Sequence, residues 1–465
     1  MDILLPRFRE RLTHLLPHIH GKTIFSAFSG GKDSVTLLTL LAALEQELGF
    51  TLKAAYLNHG IRSDTAEESR WVANFCERRD IPLIIEGADV PGFAANRGLN
   101  LEAAASYLRY DFLNRLTNDS PLTWAATGHT LSDQVETFFM RLFRGSGAAG
   151  LASIRSRRAL RILRPLLGFT ERDIRDYLQR LGLPHYSDPS NRDRNILRNQ
   201  LRHDILPPLY RRFPHMAEHI ADTARILGEE SDWFRAHASR ILSRRLVLGK
   251  ILPPDTLESL QPAEQRHVIR EYLRRLRGDL MAISLFHVES LMPGICDKRH
   301  LSLPGITLSR RKGFLFPADF KSPGYKYILP ARGEFPVPEI NARIRLTPVK
   351  QWIDPYEDSE SGCFRALVNP GILSKPLGIR VAVAGDRYRK PGNDFSQKVY
   401  EMIRAGGLPA PLRSLRPLFC DGSQKPFWLP GNPPAQHAAG LRGKPGLLIE
   451  VEGLWPLPTL YAPDS

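Results

Sequence analysis

The first half of the chain alternates between short apolar runs and longer stretches with apolar residues at helical spacing. Leu4, Leu5, Phe8, Leu12, Leu15 and Leu16 put one apolar face on a helix over residues 1–20. An apolar run at 23–28 predicts a strand. Val35, Leu37, Leu38, Leu41 and Leu44 then predict a helix over 34–48. The pattern repeats: strands at 52–57, 82–85 and 122–127, and helices at 65–79, with Asp64 as its cap, at 100–116 and at 132–143. Such alternation predicts an α/β fold, a parallel sheet with helices on both faces. Ligands of such sheets sit beyond the carboxyl ends of the strands.

The pattern then changes. A basic connector follows residue 150, then a helix at 171–181 and a polar loop at 187–194. Residues 215–290 read as helix-rich, with Met216, Ile220, Ala224 and Leu227 at helical spacing. Short strands are expected at 306–309, 313–316 and 344–347, and an acidic linker at 352–362. A compact mixed unit closes the series. It comprises a strand at 379–383, a basic loop at 386–392, a helix at 395–405 and strands near Phe427 and at 447–451.

Composition narrows the function class. No apolar run is long enough to span a membrane, and the first twenty residues lack the layout of a signal peptide. Cys76, Cys296, Cys363 and Cys420 are scattered without a CxxC pair. That argues against a zinc ribbon, an iron–sulfur site and a disulfide framework, and fits idle thiols in a reducing cytoplasm. The net charge of +15 points to a polyanionic partner. Residues 141–164 hold seven arginines and no acid, and 192–212 hold six more arginines. Arginine pairs well with phosphate oxygens, so nucleic acid is the expected partner.

The sharpest chemistry lies in Phe25-Ser-Ala-Phe-Ser-Gly-Gly-Lys-Asp-Ser34, between the first strand and its helix. It satisfies neither the Walker A spacing nor GxGxxG. Gly30 and Gly31 let backbone N–H groups approach an anion, Ser29 and Ser34 add hydroxyls, and Lys32 adds a positive charge. Asp33 is discordant beside phosphate unless a cation lies between them, which implies Mg²⁺. Asp133 and Glu136, three apart at a helix start, join Asp33 as candidate metal ligands; helix-dipole acids are the plainer reading.

The Ser-Gly-Gly-Lys-Asp-Ser segment resembles the PP-loop of the ATP pyrophosphatases. Three further stretches sharpen the resemblance: Asn58-His-Gly-Ile-Arg-Ser63, Asn100-Leu-Glu-Ala-Ala-Ala-Ser-Tyr-Leu-Arg-Tyr110, and Gly128-His-Thr-Leu-Ser-Asp-Gln-Val-Glu-Thr137 with Arg144-Gly-Ser-Gly147. Together with the loop 188–195 and the segment 198–202, they are similar to the tRNA(Ile)-lysidine synthetase family over nearly the whole chain. The resemblance implies a PP-loop catalytic domain over 1–212, a helix-rich tRNA-binding domain over 213–317, a linker over 318–375 and a C-terminal tRNA-binding domain over 376–458. It implies ATP and Mg²⁺ as cofactors, free L-lysine and an isoleucine tRNA with a CAU anticodon as partners, and a homodimer.

The implied reaction begins when O2 of the wobble cytosine attacks the α-phosphate and pyrophosphate leaves. The lysine ε-amine then attacks C2 and AMP departs. Ser29, Gly30, Gly31, Lys32, Asp33 and Ser34 are the expected ATP-binding residues. Asp33, Glu136 and Arg198 are the expected catalytic ones, with Asp33 or Glu136 as proton acceptor. Arg144, Arg198, Arg202, Arg387 and Arg389 are expected on tRNA phosphates. For Arg198 and Arg202 the alternative is pairing with Asp188, Asp193 or Asp204. Two other functions compete. A thiolating PP-loop enzyme needs cysteines near the site, and only Cys76 lies in that domain. A non-catalytic tRNA-binding protein would have no use for Asp33, Asp133 and Glu136.

Overall fold

The computed structural model describes residues 4–60, 65–158, 161–186, 194–295, 299–351, 363–405, 408–441 and 443–453. Arg62, Asp64, Asp188, Asp193, Cys296 and the expected linker at 352–362 lie outside these. The chain forms two compact units, Met1–Trp233 and Phe234–Ser465.

The first unit is built on the expected parallel sheet. Its strands are β1 (Thr23–Ala27), β2 (Thr51–Asn58), β3 (Leu83–Gly87), β4 (Thr123–Ala126), β5 (Arg157–Arg158) and β6 (Ile162–Leu163), in the order β3-β2-β1-β4-β6-β5. All neighbours are parallel except β5, which runs antiparallel on the edge. The helices are α1 (Leu4–Leu15), α2 (Lys32–Leu48), α3 (Thr65–Glu77), α4 (Val90–Arg97), α5 (Leu101–Asn118), α6 (Leu131–Phe143), α7 (Ala148–Leu151) and α8 (Glu171–Arg180). Side chains of β1 alternate. Ile24 and Phe28 pack with Leu12, Leu38, Phe75 and Ile174 on one face, while Phe25 packs with Phe112 and Leu113 on the other.

The chain moves outward from β1 to β3 and then returns to place β4 on the opposite side of β1. The strand order therefore reverses between β1 and β4, which opens a crevice beyond their carboxyl ends. The phosphate loop leaves β1 there, and the Gly128–Thr137 segment leaves β4 there.

Three features escape sequence patterning. Asp89 caps α4 by accepting from Gly92 N at 2.9 Å, with Pro91 in its first turn, so a Pro-Gly pair starts a helix instead of a loop. The basic connector supplies β5 and β6, two residues each. A helical run, α9 (Leu197–Gln200) and α10 (Leu206–Arg212), is joined by a π-helical turn at Leu201–Ile205.

The helix α11 (Met216–Arg245) leads into the second unit. There α12 (Pro254–Glu258), α13 (Pro262–Arg277) and α14 (Leu285–Glu289) pack with the antiparallel strands β7 (His300–Leu303), β8 (Ile306–Arg311) and β9 (Phe314–Pro317). The remainder holds two four-stranded antiparallel sheets. One is β10 (Lys326–Ile328), β14 (Gly378–Val381), β17 (Pro417–Cys420) and β18 (Pro426–Trp428). The other orders β11 (Gly333–Val337), β12 (Ala342–Val349), β19 (Gly446–Glu452) and β13 (Phe364–Val368). Their shared core includes Ile344, Phe419, Phe427, Trp428 and Ile449. The stretch 318–375, expected as a linker, thus contributes strands to both sheets. The helix expected from Phe395 begins at Val399 as α15 (Val399–Ala405), because Gln397–Lys398 (β16) pair with Arg387–Tyr388 (β15) as a hairpin.

Candidate active site

The phosphate loop is shaped by two glycines. Gly30 has φ +74°, and its carbonyl accepts from Tyr186 N at 2.9 Å. A Cβ there would meet the Trp71 ring at 3.1 Å. Gly128, at the end of β4, approaches the other side of the loop. Its Cβ would lie 3.1 Å from the Asp33 carbonyl carbon and oxygen. Any larger residue would press on that backbone, so glycine suits the close approach of β4 and α2. Ser34 Oγ donates to Gly31 O at 2.9 Å and lies 3.3 Å from both Ser29 N and Ser29 Oγ. Gly31 caps α2 in an extended conformation with no side-chain cap. The first N–H groups of α2 are therefore left for an anion at the positive end of the helix.

Lys32 Nζ donates to Glu171 Oε1 at 2.5 Å. Glu171 begins α8, whose Thr170 cap accepts from Asp173 N. The Thr-x-x-Asp cap is readable in the sequence, but its contact with Lys32 arises only from packing α8 on α2. Burial would raise the Glu171 carboxyl, and the hydrogen bond and charge of Lys32 bring it below the usual range.

Asp33 behaves differently. Burial, and then the charge of Asp133, push its carboxyl up to about 7, only partly offset by Lys32 and Arg202. Among the described residues no hydrogen bond reaches this carboxylate. A desolvated acid without a donor, beside an uncapped helix start, fits a divalent cation shared with phosphate.

Asp133 and Glu136, the other expected metal ligands, are engaged by arginines in this structure. Glu136 is 1% exposed, and both its oxygens are taken. Glu136 Oε2 accepts from Arg198 Nε at 2.7 Å and Arg202 Nη2 at 2.9 Å, and Oε1 accepts from Arg202 Nε at 2.6 Å. Asp133 Oδ1 accepts from Arg198 Nη2 at 2.8 Å, while Oδ2 accepts from Thr130 N at 2.8 Å. Burial would raise Asp133, but Arg198, His129, the Thr130 amide and Arg202 bring it below the usual range. Two acids and two guanidinium groups thus form a closed, charge-balanced cluster. Among the described residues, no group of three His, Cys, Asp or Glu side chains is placed to hold a metal.

This geometry revises several expected roles. Glu136, expected as a metal ligand and proton acceptor, instead accepts three hydrogen bonds from the two guanidinium groups. Arg198 and Arg202 turn to Asp133 and Glu136 of α6, not to Asp204; the other expected partners, Asp188 and Asp193, lie outside the described residues. Arg198 Nη1 also lies 3.6 Å from Glu102 Oε1 of α5, so three acids face its guanidinium. Asp204 pairs with Arg194 instead. The π turn at Leu201–Ile205 carries Arg202, while Arg198 lies in the preceding α9.

His59 and His129 flank the site at two strand ends. Burial, with Arg109 adding to it, pulls His59 down to about 4. Burial pulls His129 to about 4 despite Asp133, and its Nδ1 lies 2.8 Å from Thr127 Oγ1. Both are therefore neutral near pH 7. Cys76 is buried in α3, its thiol pushed up to about 11, which removes it as a nucleophile.

Of the arginines expected on tRNA, Arg144 is exposed at the end of α6 in the first unit. In the second unit Arg387 and Arg389 are exposed on the β15–β16 hairpin, where Arg387 Nη2 donates to Ser396 O at 3.0 Å and Arg389 donates to Asn393 O. No helix among the described residues is long and apolar enough to cross a membrane.

Comparison with known proteins agrees with this geometry. Residues 4–209 match the PP-loop domain family. The chain is 29% identical to the tRNA(Ile)-lysidine synthase of Geobacillus kaustophilus over 445 residues, 91% of this chain and 94% of the relative. It is 28% identical to the tRNA(Ile)-lysidine synthase of Dehalococcoides mccartyi, over 88% of this chain and 91% of the relative. It is 34% identical to that of Thermus thermophilus, over 73% of this chain and 62% of the relative. With its glycine-shaped loop at the β1–β4 crevice, the chain belongs to the tRNA(Ile)-lysidine synthase family of PP-loop enzymes.

Proposed function

We propose that this chain joins free lysine to C2 of the wobble cytidine in an isoleucine tRNA with a CAU anticodon, using ATP and releasing AMP and pyrophosphate. The observation that carries this reading is the loop Ser29–Ser34 with its uncapped helix start and the desolvated Asp33 carboxyl at its mouth.

The backbone N–H groups at the start of α2 hold the β- and γ-phosphates, with Ser29 and Ser34 supplying hydroxyls and Lys32 a charge. Asp33 would hold Mg²⁺, which would offset charge on the departing pyrophosphate. O2 of the splayed-out cytosine attacks the α-phosphorus, and the bond to pyrophosphate breaks. The lysine ε-amine then forms the C2–N bond as the C2–O bond to AMP breaks. The amine must be neutral to attack. Asp33, its carboxyl pushed up to about 7 by burial, would accept that proton. The Asp133–Glu136–Arg198–Arg202 cluster keeps α6 and the 197–212 segment locked beside the crevice. Arg144, Arg387 and Arg389 hold tRNA phosphates. A homodimer would appear in light scattering as twice the 52.5 kDa chain mass.

The test is mass analysis of the wobble nucleotide after incubation with isoleucine tRNA, ATP, Mg²⁺ and lysine. The expected product is cytidine carrying one lysine, with one AMP released per turnover. AMP release that proceeds equally well without lysine defeats the proposal.

A further inference from the structure

The helices α4 and α5 form a hairpin beyond the carboxyl end of β3, beside the candidate active site. Val90 N, at the start of α4, donates to His59 O at 3.4 Å. The first turn of α5 carries Glu102, 3.6 Å from Arg198. Val90, Ala94, Ala104 and Ala105 fill the space between the two helices.

Phe93 packs half-buried against that small core and stacks on Tyr107 at 5.2 Å between ring centroids, with their planes 25° apart. Tyr107 remains 49% exposed. The Arg97 guanidinium lies over both rings, 5.3 Å from the Phe93 centroid and 5.8 Å from that of Tyr107. Arg97 is exposed, and among the described residues it meets no acid. Since alanines and Val90 already close the hairpin, packing alone does not call for an aromatic ring half in water at Tyr107. An exposed ring backed by a second ring and an arginine is the arrangement that receives a nucleobase and its phosphate. Tyr107 lies five residues beyond Glu102, roughly 7.5 Å along the helix axis and roughly 140° around it.

We propose that Phe93, Tyr107 and Arg97 form a stacking platform for an anticodon-loop base next to the wobble cytidine. The inference rests on the proposed function. Extruding the reacting base leaves its neighbours without a stacking partner, and the Tyr107 ring replaces the lost contact while Arg97 meets the adjoining phosphate. The chain's charge of +15 favours RNA over an apolar peptide on this face.

The test uses the full chain and isoleucine tRNA carrying 2-aminopurine at each nucleotide flanking the wobble position. Wild type is expected to change the fluorescence of one of them on binding. Tyr107→Leu is expected to abolish that change and raise Kd for tRNA roughly tenfold, with KM for ATP unaltered. Tyr107→Phe and Tyr107→Trp should retain both. Arg97→Gln should weaken binding several-fold and flatten its salt dependence. Tyr107→Leu binding within twofold of wild type overturns the platform. So does loss of binding in Tyr107→Phe, which would assign the effect to the hydroxyl. A change in oligomeric mass without a change in tRNA affinity also overturns it, and makes this face a contact between copies. Should Tyr107→Leu fail to fold, Tyr107→Trp decides, since a retained ring must retain affinity. A wild-type chain that makes no lysidine defeats the proposed function, whatever Tyr107 does to tRNA affinity.

Discussion

Asp33 is held in a condition its neighbours do not relieve. Burial raises its pKa to about 7, so the folded chain favours the protonated acid. The stability this contributes is fully present below about pH 4, the ordinary carboxylate range, and is lost as pH rises through about 7. A salt-bridged carboxylate behaves in the opposite sense. Without ligand, wild type should therefore lose more Tm between pH 5 and pH 8 than Asp33→Asn, which carries no titrating group there. The gap should be about 2–4 °C per kcal/mol of relieved charge burial, and Mg²⁺ with ATP should close it only in wild type. Parallel pH profiles for the two proteins would remove the case for a cation at Asp33. Glu136 makes the contrasting prediction. Arg202→Ala leaves it one guanidinium partner instead of two, with an expected loss of about 1–3 kcal/mol in urea unfolding. An unchanged midpoint would mean that the cluster is not structural.

Among elements, the closest approach is that of β4 to α2 at Gly128. Gly128→Ala places a Cβ 3.1 Å from the Asp33 backbone, which must move the start of α2 away from the strand end. The expected result is a rise of about tenfold in KM for ATP with circular dichroism unchanged; an unaltered KM would show that the loop tolerates the shift. Most of this level was legible in the sequence. The strands β1 to β4 and the helices α2, α3 and α5 follow from apolar spacing. The phosphate loop was legible because glycine, hydroxyl and charge occur together at a strand end. The roles of Arg198 and Arg202 were not. Their four-residue spacing shows that they share a face but not what that face meets. The partners Asp133 and Glu136 lie far away in sequence, and Arg202 sits in a π turn that no periodicity signals. The α4 helix escaped because Pro91 and Gly92 read as a loop until Asp89 is seen capping it.

For the whole molecule, the charge of +15 predicts tRNA binding with steep salt dependence. Arg144→Gln, at an exposed helix end, should lower the slope of log K against log salt by about 1. An unchanged slope would place Arg144 off the RNA. Removing residues from 376 onward is not a clean way to ask the same of the second unit. That cut takes β14 from β10 and β19 from between β12 and β13, opening the core around Ile344 and Ile449. The shortened chain should aggregate or lose its cooperative transition, and a soluble, two-state product would contradict the sheet order. Arg387→Gln with Arg389→Gln tests the tRNA contact without that damage.

The place of β19 also bears on synthesis. The strands β12 and β13 emerge from the ribosome early, yet their common neighbour is made only after β14 to β18. During that interval two adjacent edges stay open to any passing strand. The first unit has all its strands in hand long before, so a nascent chain would own its nucleotide crevice while the remainder still awaits closure. Chaperone demand in translation should therefore concentrate on the latter half of the polypeptide.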